Sequence, residues 1–84
     1  MIKMETPPHA QRIEPPGWVG AFYVFLVPDS PNGMRVAVCV EPNGNPVGEC
    51  VIKPSGSMEI QFHEVLPQPV FSAILMALWD EVGL

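Results

Sequence analysis

The spacing of apolar residues from 69 to 82 predicts an amphipathic helix, the only helix that the sequence indicates. At 100° per residue, one broad apolar stripe is formed by Val70, Phe71, Ile74, Leu75, Leu78 and Val82. Pro69 suits the first helical position, because a missing N–H costs nothing there, and Gly83 suits a left-handed C-terminal stop. The apolar run is far shorter than the ~20 residues that span a bilayer, so we do not predict a transmembrane helix.

The opposite side of this helix is only weakly polar. It carries Ser72, Ala73, Met76, Ala77 and Asp80, with Trp79 between the two sides. In one interpretation the alanines are ordinary helix formers and Met76 is a single exposed apolar residue. In the other, this second side contacts another subunit and the alanines allow close approach, since exposed apolar patches usually mark contact surfaces. The sequence leaves both interpretations open.

Four segments before the helix have the composition of β-strands, at 18–27, 34–41, 47–53 and 58–65. In the last, alternation is clear and predicts Met58, Ile60 and Phe62 toward the helix, with Glu59, Gln61 and His63 toward solvent. In the second strand the residues expected to face the helix are Met34, Val36, Val38 and Val40. Those expected on its other face are Arg35, Ala37, Cys39 and Glu41. The first segment is apolar on both parities, which is typical of a strand covered on both faces.

Three similar turns connect these segments. They read Ser-Pro-Asn-Gly at 30–33, Glu-Pro-Asn-Gly at 41–44 and Lys-Pro-Ser-Gly at 53–56. Proline presets the first corner of a type I turn, and glycine takes the left-handed position that restarts the next strand. We therefore predict an α+β, two-layer β-β-β-β-α fold, in which a four-stranded antiparallel meander is covered on one face by a single C-terminal helix. One parity of the first strand is then left uncovered, so either the sheet curls over itself or a second subunit packs there. Of these we favour a homodimer.

The first 17 residues differ from the rest of the chain. They contain Pro7, Pro8, Pro15 and Pro16, with few apolar side chains. We predict a flexible, Pro-rich N-terminal arm over 1–17, followed by one small domain over 18–84. The alternative is an arm that becomes ordered against a partner or a neighbouring subunit.

Composition and charge limit the partners and the cellular compartment that the sequence predicts. The formal net charge of −5 lies entirely in residues 18–84, because the charges of residues 1–17 cancel. An acidic domain is poorly suited to contact phosphate backbones, so we expect no direct binding of nucleic acid and a partner with a basic surface. No signal peptide is recognisable, and two cysteines do not form a disulfide framework, so we expect a cytoplasmic protein with free thiols.

Few side chains are candidates for chemistry. Cys39 and Cys50 lie on adjacent predicted strands, and we expect buried, inert thiols. A disulfide between them requires that the register place them opposite each other. His63 and Glu59 share a strand face, but two ligands fall short of the three or four of a usual zinc site. We expect no catalytic site, cofactor or metal, since the sequence also contains no phosphate loop and no nucleophile elbow.

The sequence thus predicts a small acidic protein-binding domain. Its most specific form is an inhibitor or adaptor that covers a basic site of a larger protein, as small acidic proteins of phages or mobile elements do. The alternative is a homo-oligomeric structural module that works by self-assembly, and a small-ligand binder or enzyme using the cysteines or His63 ranks last. The residues predicted to take part in the interaction are Ala73, Met76, Ala77, Trp79, Asp80, Glu59, Gln61 and His63.

Overall fold

The structure is a computed structural model that describes residues 6–28 and 33–83. Within these residues the chain forms five β-strands and one α-helix. In chain order they are β1 (Gln11–Ile13), β2 (Phe22–Leu26), β3 (Arg35–Val40), β4 (Pro46–Ile52), β5 (Met58–Phe62) and α1 (Gln68–Val82). The strands form one antiparallel sheet in the order β1-β2-β3-β4-β5. The α+β class, the meander and the C-terminal helix are confirmed, whereas the predicted number of four strands is wrong.

The additional strand, β1, lies within the segment that the sequence predicted to be an arm. Its residues pair antiparallel with β2, with Gln11 opposite Val24 and Ile13 opposite Phe22. At three residues it is too short for alternation to indicate a strand. Proline lacks an N–H and is therefore confined to sheet edges, which fits the position of this Pro-flanked strand at the outside of the sheet. The division of the chain into an arm and a domain stays a prediction.

The hairpin turns have the predicted chemistry. The Gly44 N–H donates to the Glu41 carbonyl over 2.8 Å, and the Gly56 N–H donates to the Lys53 carbonyl over the same distance. Both glycines have positive φ, 90° at Gly44 and 93° at Gly56, so the left-handed position after each turn is occupied as expected. Of the first predicted turn, residues 30–32 lie outside the described residues.

Helix α1 begins one residue before the predicted position and ends where predicted. The Phe71 N–H donates to the Pro67 carbonyl over 2.9 Å, which makes Gln68 the first helical residue and Pro69 the second. Proline is tolerated there because N–H groups in the first turn have no partner within the helix. The helix ends at Val82 and is capped by Gly83, which is left-handed with φ 80° and whose N–H donates to the Asp80 carbonyl.

The main core lies between α1 and one face of the sheet. Its helical members are Val70, Ile74, Ala77, Leu78 and Val82, and its strand members are Phe22, Val24, Ala37, Cys39, Val47, Cys50 and Ile52. The predicted facing of β3 is therefore wrong, because Ala37 and Cys39 lie under the helix in place of Val36, Val38 and Val40. In β5 the prediction is closer, since Met58 and Phe62 pack against this core while Ile60 remains 39% exposed.

A second apolar cluster lies on the opposite face of the sheet. Phe25, Val38 and Val40 are buried there, and Ala10, Tyr23, Val27 and Val36 pack around them. The register explains this grouping, because Phe25 is opposite Val38 and directly paired residues share a face. Within a single copy of the chain, this second parity of the first predicted strand is therefore covered in part: Phe25 is buried, and Tyr23 and Val27 are half-buried. This corrects the expectation of an uncovered face and weakens one of the grounds for the predicted homodimer.

Gly48 on β4 leaves room for a side chain of β5 to contact the helix. A Cβ at Gly48 would lie 3.0 Å from the Phe62 ring, so a side chain there would displace that ring. With glycine in place, Phe62 reaches Phe71 of α1, with ring centroids 4.6 Å apart and planes tilted by 47°. Phe71 was predicted in the buried stripe, but it lies at the edge of the core and is 37% exposed.

Candidate functional site

The two cysteines are buried thiols, and among the described residues neither belongs to a group of three His, Cys, Asp or Glu side chains. The register pairs Cys50 with Ala37 and Cys39 with Gly48, so the thiols are diagonal neighbours and not an opposed pair, and both are free. Burial, with a smaller contribution from the charge of Glu41, raises the pKa of Cys39 to about 12. Burial also raises the pKa of Cys50. Because the thiolate is the nucleophile, neither residue is activated at neutral pH.

His63 and its predicted neighbours lie on an open surface. His63 directly follows β5, its side chain is exposed, and its N–H donates to the Val47 carbonyl over 2.8 Å. The Glu59 carboxylate lies 2.6 Å from the Lys53 ammonium in an exposed ion pair. Among the residues that the structure describes, no three His, Cys, Asp or Glu side chains are grouped to hold a metal ion.

A groove runs between the outer side of α1 and the β1 edge, and we call it the α1–β1 groove. Its volume is about 650 Å³, and it is lined by Gln11, Leu75, Met76, Ala77, Trp79 and Asp80. Met76 is 73% exposed and Trp79 is 44% exposed, so two large apolar residues one helical turn apart are accessible on the outer side of α1. Contiguous apolar surface of this kind often marks a binding site. The groove is therefore apolar, with one amide and one carboxylate at its margin.

Four of the predicted interaction residues meet in this groove: Met76, Ala77, Trp79 and Asp80. Ala77 was placed on the outer side of the helix, but it is buried and belongs to the core, so it contributes only to the lining. Ala73 is half-buried and does not line the groove.

Two further predicted residues belong to a separate surface. Glu59 and Gln61 line a cleft of about 390 Å³ with Glu49, Val51 and Ile60 along β4 and β5. His63 lines neither of these two cavities. The predicted interaction residues therefore fall into a helical group and a strand group and do not form one continuous site.

Gln11 and Leu75 are the groove residues that sequence reasoning missed. Leu75 was assigned to the buried stripe, but it is half-buried because it lies where that stripe meets the groove. Gln11 was part of the predicted arm, and only the pairing of β1 with β2 brings it next to the helix. Such long-range pairing leaves no local signal in a three-residue strand.

The electrostatics of the α1–β1 groove are negative. Asp80 lies in the last turn of α1, where the helix dipole also places partial negative charge. Among the described residues that line the groove, none is basic. On β1, the Arg12 guanidinium lies 2.6 Å from the Glu14 carboxylate. The hydrogen bond to Glu14 and the charge of that carboxylate raise the pKa of Arg12. Arg35 lies near the helix end at Gly83, outside the groove lining.

Comparisons of the chain with protein-family models, with curated proteins and with solved structures found no match. At 15 residues, α1 is too short to cross a bilayer, and no other part of the described chain forms a helix of the required length and apolarity.

Proposed function

We propose that this chain is a protein-binding domain whose binding surface is the α1–β1 groove. The observation that carries the proposal is the exposure of Met76 and Trp79 beside Asp80, on a helix that already buries its other side against the sheet. Large aromatic and Met side chains are enriched at binding surfaces, where their burial supplies most of the affinity. The proposal includes no catalytic step.

The chemistry of the groove suggests what its partner presents. An apolar floor accepts a bulky apolar side chain, and the carboxylate of Asp80 at its margin favours a Lys or Arg next to that side chain. Glu81 follows Asp80 in the chain, and the helix dipole adds to the same negative field. In this proposal the domain acts as an inhibitor or adaptor that covers a basic, partly apolar site of a larger protein.

The direct test is selection of binding peptides from a random library displayed on phage, with the purified domain as bait. We expect the enriched peptides to combine a bulky apolar residue with Lys or Arg. Met76→Glu places a charge in the groove and should weaken the selected peptides by about tenfold or more, which is the usual cost of losing one well-packed contact. The matched control is Val65→Glu, because Val65 is fully exposed and lies outside the groove lining.

The salt dependence of binding separates the two components of the proposal. Affinity for the basic peptides should fall as NaCl increases, because surface charges are screened. Enrichment of acidic peptides, or equal binding to wild type and Met76→Glu, would reject the groove as the binding surface. A homo-oligomer that resists salt and is dissociated by Met76→Glu would instead favour self-assembly through the groove, the alternative function.

A further inference from the structure

Strand β5 forms the edge of the sheet opposite to β1. No described strand pairs with its outer side. It contains five residues without proline, whereas β1 has three residues and lies between Pro-rich segments. An unpaired edge of this kind presents a row of N–H and C=O groups to which another strand can add. Of the two edges, β5 is therefore the one suited to strand addition.

The hydrogen bonds at both ends of β5 show which of its backbone groups point outward. The Ser57 carbonyl accepts a bond from the Lys53 N–H over 2.9 Å, and the His63 N–H donates to the Val47 carbonyl over 2.8 Å. Residues 57 and 63 thus bond toward β4, and because bonding alternates along an antiparallel strand, so do residues 59 and 61. The backbone groups that point away from the sheet belong to Met58, Ile60 and Phe62.

We propose that a second copy of this chain adds antiparallel to β5, with Ile60 opposite Ile60 of that copy. This pairing overlaps the whole strand and joins outward-pointing groups to outward-pointing groups. It also places Glu59 opposite Gln61, so that the carboxylate accepts from the amide, and Met58 opposite Phe62, a thioether–aromatic contact. The sequence Met-Glu-Ile-Gln-Phe is therefore complementary to itself when read antiparallel.

The neighbouring registers are less favourable. A shift of two residues in one direction places Glu59 opposite Glu59 of the second copy, and directly opposed like charges are destabilising. A shift in the other direction pairs Ile60 with Phe62 and extends the contact to His63, which lies beyond the end of β5. The symmetric register also covers Ile60, which is 39% exposed in the single chain. The interface lies at the opposite edge from Gln11, so the inference is independent of the groove function proposed above.

Cysteine cross-linking tests the register directly. Ile60→Cys places identical thiols opposite each other, about 5.5 Å apart between Cα atoms, which is within disulfide range. Gln61→Cys is the matched control, because residue 61 is also exposed but faces residue 59 of the second copy. Under mild oxidation we expect the covalent dimer of Ile60→Cys to form about tenfold faster than that of Gln61→Cys, since only the former pair lies within bonding distance. The native thiols are buried and should contribute little.

Solution mass by light scattering gives the second measurement. A dimer joined through one five-residue strand has a small interface, and interfaces under ~1,200 Å² are weak. The solution mass of wild type should therefore approach twice the 9.2 kDa of the chain only as its concentration rises toward about 1 mM. Ile60→Lys should raise the dimer Kd by about tenfold by opposing two like charges, whereas Val65→Lys should not change it. A 9.2 kDa species at every concentration would overturn the proposal. So would equal cross-linking of the two cysteine variants, faster cross-linking at position 61, or a dimer that Ile60→Lys leaves intact.

Discussion

Burial of Cys39 should make the stability of the domain depend on pH in the alkaline range. The thiol has no exposed surface, and burial raises its pKa from the ordinary value of 9.0 to about 12. Because the folded pKa lies above the unfolded one, the contribution of the neutral thiol is complete below about pH 9 and is lost as pH rises toward 12. The stability of the domain is therefore best compared at pH 8 and at pH 10.5.

The expected loss follows from the two pKa values. At pH 10.5 an unfolded thiol is largely ionised, while the folded thiol remains protonated. Because pH 10.5 lies about 1.5 units above the ordinary thiol pKa of 9.0, the unfolding free energy falls by the equivalent of about 1.5 pKa units. This corresponds to about 2 kcal/mol of unfolding free energy at 1.36 kcal/mol per unit. A domain of this size has a total stability of roughly 4–12 kcal/mol, so the loss is measurable.

The assay is urea unfolding at both pH values, followed by circular dichroism with a reductant present. The change in pH also acts on the rest of the protein, so the informative quantity is the difference between wild type and Cys39→Ala. The variant leaves a small cavity at both pH values but has no thiol to ionise. The variant is less stable than wild type at pH 8, and this difference in unfolding free energy should decrease by about 2 kcal/mol at pH 10.5. Equal losses of stability in the two proteins would mean that the Cys39 thiol is not desolvated in the folded state.

Two further predictions concern glycines. Gly48→Ala should destabilise the domain by about 1–3 kcal/mol in urea unfolding, because the new Cβ meets the Phe62 ring at 3.0 Å. It should also shift the ring NMR signals of Phe62 and Phe71, which contact each other. Unchanged signals would mean that the Phe62 ring does not rest on Gly48. Gly83→Ala should lower the free energy of unfolding by about 1 kcal/mol in thermal unfolding, because φ at this position is 80°. Gly83→Asn should lower it less, since Asn tolerates the left-handed region. Equal losses for the two variants would argue against a conformational cause.

The elements that the sequence predicted well are those with local signals. Helix α1 has a proline near its start, a glycine at its end and a 3.6-residue apolar period, all within one segment. The turns at 41–44 and 53–56 depend on four residues each, and both close as expected. Half of the groove was predictable for the same reason, because helical spacing alone places Met76, Trp79 and Asp80 on one side of α1.

What the sequence did not predict depends on contacts between distant segments. The pairing of Gln11 with Val24 is specified by the whole sheet edge and has no pattern in a three-residue strand. Burial of Phe25 on the second face likewise depends on its cross-strand neighbour Val38 and on the segment around Ala10. Because neither face of the first predicted strand is polar, alternation could not show how the second face is covered.

The error in β3 shows that side-chain volume can select the face of a strand when hydrophobicity does not. Between Val36 and Val40 both parities of β3 are apolar. The valines were assigned to the helix, while the other parity continues into the charged residues Arg35 and Glu41 at its two ends. In the structure the helix instead lies over Ala37 and Cys39, both fully buried. The large side chains of α1, including Ile74 and Leu78, occupy the space above them, and a core packs densely when large residues on one element face small ones on the other. The valines then pack on the opposite face, where no helix has to approach the backbone and their bulk fills the cluster around Phe25.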